Sequence, residues 1–147
     1  MRELKFRAWE NKNKTMVYFD NEQAAGDFDI GRQLLLLLAN KHPNGTDLAM
    51  QFAGLKDKNG LDIYEGDILR IPAEGKWEES NYSAFEVFWH DNDCADRHVG
   101  FQMNRMHNYG SVGGGYCGYG FLPETTKKFV IIGNIHENPE LLQTKAA

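Results

Sequence analysis

The chain has 147 residues, 41% of them hydrophobic and 25% charged, and a net charge of −5. This is the composition of a soluble globular protein of one domain or two small subdomains. Its 16 Lys and Arg are dispersed among 21 Asp and Glu, and its longest apolar run, Leu34 to Ala39, is far too short to span a bilayer, which argues against general polyanion affinity and against a membrane helix.

Aromatics make up 12% of the chain, and 15 glycines outnumber four prolines, which points to strands joined by turns. Residues 4–20, LKFRAWENKNKTMVYFD, read as a β-hairpin closed by the polar ENKNKT. Alternation assigns Phe6, Ala8, Met16 and Tyr18 to one face and Trp9, Val17 and Phe19 to the other. Both sets are apolar or aromatic, and a single core covers only one of them. The second needs cover from the rest of the chain or from another copy, so a homo-oligomer with the hairpin at its interface is expected. Residues 21–33 read as a polar loop. QLLLLLANKHPNG is a buried strand or a short buried helix, and periodicity does not separate the two. DLAMQFAGL is a strand ending at Gly54.

Asp57-Lys58-Asn59-Gly60 is a tight-turn signature, since Asn and Gly tolerate positive φ and Asp can bond nearby backbone. Glu65-Gly66-Asp67 makes a second turn or bulge before ILRI, which Pro72 ends. Residues 73–83 are a polar loop. SAFEVFWHD is a strand with Phe85, Val87 and Trp89 on one face. From about 91 to 124 the chain reads as a long glycine-rich excursion. KKFVIIGNIHEN is a last strong strand, followed by a helical turn in NPELLQ with Asn138 as N-cap and Pro139 at its first position. The predicted organisation is an N-terminal hairpin subdomain (1–53), a small β-barrel with a glycine-rich insertion (54–139) and a tail (140–147).

Four constellations invite a chemical reading. Asp57, Asp62, Glu65 and Asp67 have the types needed for metal ligation or acid–base work, but each sits at a turn or strand entry where backbone N–H groups want a carboxylate. They are read as a folding signature. HDNDCADRH offers His90, Asp91, Asp93, Cys94, Asp96 and His98, without the ligand spacing of a zinc site or the glycine and glutamate of a calcium loop. It is read as a solvated acidic turn, and no metal or cofactor is expected. GSVGGGYCGYG lacks the lysine and helix of a phosphate loop, but Tyr109, Tyr116 and Tyr119 amid glycines have the make-up of a binding surface. Cys94 and Cys117, in no CxxC and with no leader ahead of them, read as reduced thiols of a cytoplasmic protein.

Three blocks, KFRAWENKNKTMVYF, MQFAGLKDKNGLDIYEGDIL and IIGNIHENPELL, occur in this order and together resemble the YopX family of phage- and prophage-encoded proteins. The resemblance implies a mainly β protein with a small barrel of SH3-like character, and a phage or prophage origin in a bacterial host. It supplies no activity, so no catalytic residue carries over.

The leading expectation is a non-enzymatic phage accessory protein that binds another macromolecule, a host or phage protein. The alternative is a nucleic-acid-binding module using Lys5, Arg7, Trp9, Lys12, Lys14 and Tyr18 of the hairpin, with Trp9 and Tyr18 as stacking residues. A metal-dependent hydrolase built on the acids comes third. An exposed Trp9 on a basic face would favour nucleic acid, a pocket with two shifted acids the enzyme, and a flat exposed apolar patch protein binding.

Overall fold

The computed structural model describes residues 3–19, 49–72, 84–91, 99–105, 119–120 and 122–142. They form a mainly β protein of two antiparallel sheets, one of them curled into a half-barrel, with very little helix. The chain divides into two compact units, Met1–Gly54 and Leu55–Ala147.

In the first unit, β1 (Phe6–Glu10) and β2 (Thr15–Phe19) form the hairpin, and β3 (Ala49–Lys56) pairs with the other side of β1. The loop is polar because it must turn in water. Lys14 takes a left-handed φ of 53°, and Asn13 Nδ2 donates to Glu10 Oε2 at 2.8 Å. Its four residues, 11–14, put even positions of β1 opposite odd positions of β2, from Phe6↔Phe19 to Glu10↔Thr15. This corrects the faces expected from alternation. Phe19 and Val17 share a face with Phe6 and Ala8, while Met16 and Tyr18 lie with Arg7 and Trp9. Ala8 and Phe19 are the buried centre of the first face, with Phe6 and Ala49 packed against them. On the other face Arg7, Trp9, Met50 and Phe52 are buried as well. Both faces of β1 are therefore covered, and both its edges are paired, to β2 and to β3. Lys5 sits 5.2 Å from the centre of the Phe52 ring, and Phe52 N–H donates to Lys5 O.

The second unit holds β4 (Asp62–Tyr64), β5 (Asp67–Arg70), β6 (Ala84–Asp91), β7 (Val99–Arg105), β8 (Tyr119–Gly120), a one-turn helix α1 (Pro123–Thr126), β9 (Val130–Asn134) and a 3₁₀ turn, Pro139–Leu142. Five of its strands make an antiparallel sheet in the order β8-β7-β6-β5-β9. Ile68 and Leu69 are neighbours on opposite faces of β5, and both are fully buried, so this strand too is covered on both sides. Val87 and Met103, on the face shared with Leu69, complete the centre of the core. Phe85 meets Phe129 edge to face at 5.3 Å.

The stretch 91–124 is not simply an insertion, because β7 pairs with β6 over seven residues inside it. Val99, Phe101 and Met103 alternate without a break, but Gly100 and the polar Gln102 and Asn104 between and after them lower the strand propensity of the segment. The Leu34–Leu38 element, the loops 21–33 and 73–83, Asp93, Cys94, Asp96, His98, Cys117 and most of the glycine-rich run lie outside the described residues.

Candidate binding surface and the motif corners

The corner at residues 56–62 is built by one carboxylate. Gly60 N–H donates to Asp57 O at 3.0 Å and Asp57 N–H to Leu61 O at 2.9 Å, closing a three-residue loop with Gly60 at a left-handed φ of 83°. This is a turn followed by a glycine bulge. Asp57 Oδ1 accepts the N–H groups of Asn59 (2.8 Å) and Leu61 (2.9 Å), and Oδ2 accepts that of Ile131 (3.1 Å) from β9. Of the other acids, Asp62 pairs with Lys56, and Asp67 is fully buried with Oδ2 on Tyr64 N–H at 2.8 Å. Each of these three carboxylates is engaged with backbone or with a lysine. Among the described residues, no group of three or more His, Cys, Asp or Glu is placed to hold a metal ion.

The corner at 133–140 uses asparagines in the same way. Asn134 Oδ1 accepts the N–H groups of His136 (3.1 Å) and Glu137 (2.9 Å), and its Nδ2 donates to Glu137 Oε2. Asn138 was expected to cap the turn that follows it. Its side chain instead turns back, with Oδ1 on Asn134 N–H and Nδ2 on Glu140 Oε1, because the nearer demand is the open backbone of the β9 exit. β9 and its flanks bond to both motif turns, 65–67 and 57–60. Asp67 pairs with Asn134 and Ile68 with Gly133, Ile135 N–H donates to Gly66 O, and Lys58 N–H donates to Phe129 O. β9 is an edge strand of its sheet, and Asp57 with Lys58 occupies backbone groups that β5 does not use. The signal for Gly133, Asn134 and Asn138 lies in GNIHENP, whose closely spaced Asn and Gly are the residues of Asx turns.

The proposed binding residues separate. Trp9 is only 8% exposed, so it is no stacking platform. Tyr18, opposite Arg7, is 55% exposed. Tyr119 lies on β8 in register with Met103, and Tyr109 and Tyr116 fall outside the described residues. His90 stands on the face of β6 opposite Trp89, with its ring 6.2 Å from Phe88. On that same face Glu86 is half-buried, and loss of hydration pushes its carboxyl above the ordinary 4.5.

A different surface emerges at the β6–β7 end. Trp89 pairs with Phe101 and Asp91 with Val99, so Trp89, Phe101 and Val99 share the face that carries Val87 and Met103 in the core. Along this face burial gives way to exposure: Trp89 is 40% and Val99 57% exposed, while Phe101 is buried. The Trp89 and Phe101 rings meet edge to face at 5.0 Å and 83°, which holds the indole in place. Sequence reading put Trp89 on the core face with Phe85 and Val87, and the face is right. What alternation does not reveal is where along the strand the core ends.

A small, mainly β protein with polar corners devoted to folding and an aromatic platform at one sheet end is the class defined by this architecture. The description "YopX protein" belongs to a family whose model matches residues 5–143, and the protein belongs to that family. A solved structure described as the crystal structure of protein EF1440 from Enterococcus faecalis is 23% identical, with 95% of this chain and 98% of that one covered at a TM-score of 0.54; at this identity the likeness speaks to the fold alone. Among curated proteins there is no match.

Proposed function

We propose that the protein is a non-enzymatic, macromolecule-binding β module of phage or prophage origin, working in the bacterial cytoplasm, and that it grips another protein with the Trp89–Val99 end of its five-stranded sheet. The barrel of the second unit is read as SH3-like and the hairpin as a subdomain appended to it. One observation carries the reading: a large aromatic ring and a β-branched side chain stand side by side, exposed and braced by Phe101, on the continuation of a core face. Rigid, partly exposed Trp is the residue type that dominates interface energetics. The nucleic-acid alternative is less favoured, since of its two stacking residues Trp9 is buried and only Tyr18 is exposed. The test is affinity capture from host cells with wild type and Trp89→Ser side by side, read by mass spectrometry. Partners held by wild type should be lost from the variant, whose affinity falls by about 30-fold or more for an anchor worth ~2 kcal/mol. An unchanged partner set on a folded variant would move the binding surface elsewhere. Light scattering on both proteins separates a foreign partner from a second copy of the protein.

A further inference from the structure

We propose that Asn59 is a self-modification site, a deamidation centre whose reaction with water is gated by the Asp57 carboxylate. The inference is independent of the binding surface. Asn59 precedes Gly60, and both are exposed. In this reaction the Gly60 amide nitrogen attacks Asn59 Cγ, giving up its proton as the new C–N bond forms. The Cγ–Nδ2 bond of Asn59 breaks and ammonia leaves. Water then opens the five-membered imide at either carbonyl, leaving aspartate or isoaspartate. No oxidant or reductant is needed. Gly60 carries no side chain to crowd the attack, and a Cβ built there would find nothing within 4 Å.

The fold restrains that step at three points. The Gly60 N–H is held on Asp57 O at 3.0 Å, while the Asn59 and Leu61 N–H groups are held on Asp57 Oδ1. The peptide planes on both sides of Asn59 are thereby fixed, and ring closure requires them to rotate. Asp57 is itself anchored, since it is buried and its other oxygen accepts from Ile131 in β9. The loop must open locally before it can react. An isoaspartate would add a methylene to the backbone of a three-residue loop, so Gly60 N–H and Asp57 O would no longer meet, and the cover on the β9 edge would loosen with them.

The experiment compares three samples kept at pH 8 and 37 °C: wild type, Asp57→Ala, and a synthetic peptide of residues 54–64. Peptide mapping with fragmentation localises the mass gain at Asn59 and separates isoaspartate from aspartate. Wild type should deamidate measurably but at least about tenfold more slowly than the peptide, as a local opening of modest free energy requires. Asp57→Ala should recover most of that factor. Equal rates in wild type and peptide would overturn the proposal, and so would a folded Asp57→Ala no faster than wild type. If Asp57→Ala does not fold, Asp57→Asn replaces it. That variant keeps the shape and one acceptor oxygen but gives up the bond to Ile131, and it should react severalfold faster than wild type. No acceleration would refute the gate.

Discussion

Gly133 is the position where adding one methyl group has the most legible cost. A Cβ built there would lie 2.3 Å from Asn138 Oδ1, 2.7 Å from its Cγ and 3.0 Å from its Cβ, all well inside ordinary van der Waals contact. The carboxamide has little freedom to retreat: Oδ1 accepts from Asn134 N–H at 3.3 Å, and Nδ2 donates to Glu140 Oε1 at 3.3 Å. On the other side Gly133 is paired with Ile68, which is fully buried. Gly133→Ala must therefore either expel the Asn138 side chain, at about 1 kcal/mol for a lost hydrogen bond, or push β9 off β5, at about 1–3 kcal/mol for overpacking. The expected destabilisation is about 2 kcal/mol, or a Tm lower by about 4–8 °C for a protein of this size. Urea and thermal melts give the number, and a second background tests the cause. In Asn138→Ala the two shortest overlaps are gone, so adding Gly133→Ala should cost less than about half as much. Equal costs in both backgrounds, within ~0.5 kcal/mol, would refute the steric argument, because independent sites add to about that precision.

Two further outcomes follow from burial. Glu86 has its carboxyl raised above 4.5 by burial, so the folded state binds more protons than the unfolded one between those two values, and the contribution of the neutral form is lost as pH rises through the folded value. Glu86→Gln should accordingly be more stable than wild type at pH 7, with the gap closing on acidification toward 4.5; urea melts at several pH values check it, and a gap that ignores pH contradicts it. Trp9→Glu should cost about 3 kcal/mol or more by placing a carboxylate in a covered interior, and should abolish near-ultraviolet order instead of releasing a folded subunit. Circular dichroism with light scattering reads both, and a well-folded variant of lower mass would instead place the hairpin at an interface between copies.

What could be read without the fold was chemistry confined to a few adjacent residues. The 57–60 turn, the hairpin over 4–20 and the apolar face of β6 each rest on side chains within a strand or loop of one another, and each is found. Even there, the count of residues in the hairpin loop decided which side chains share a face. Composition and alternation could not decide which faces are covered, since Phe6, Ala8, Phe19, Trp9 and Arg7 present the same pattern whether their second face meets solvent or protein. Only its 8% exposure in the assembled fold shows that Trp9 is interior. Nor could the sequence join the acceptor oxygen of Asp57 to the N–H of Ile131, 74 residues away, or set the methyl-intolerant Gly133 against Asn138. Turn propensity acts through bonds between near neighbours and is written locally; burial and edge protection depend on which distant strand arrives alongside, and that is decided only when the sheet assembles.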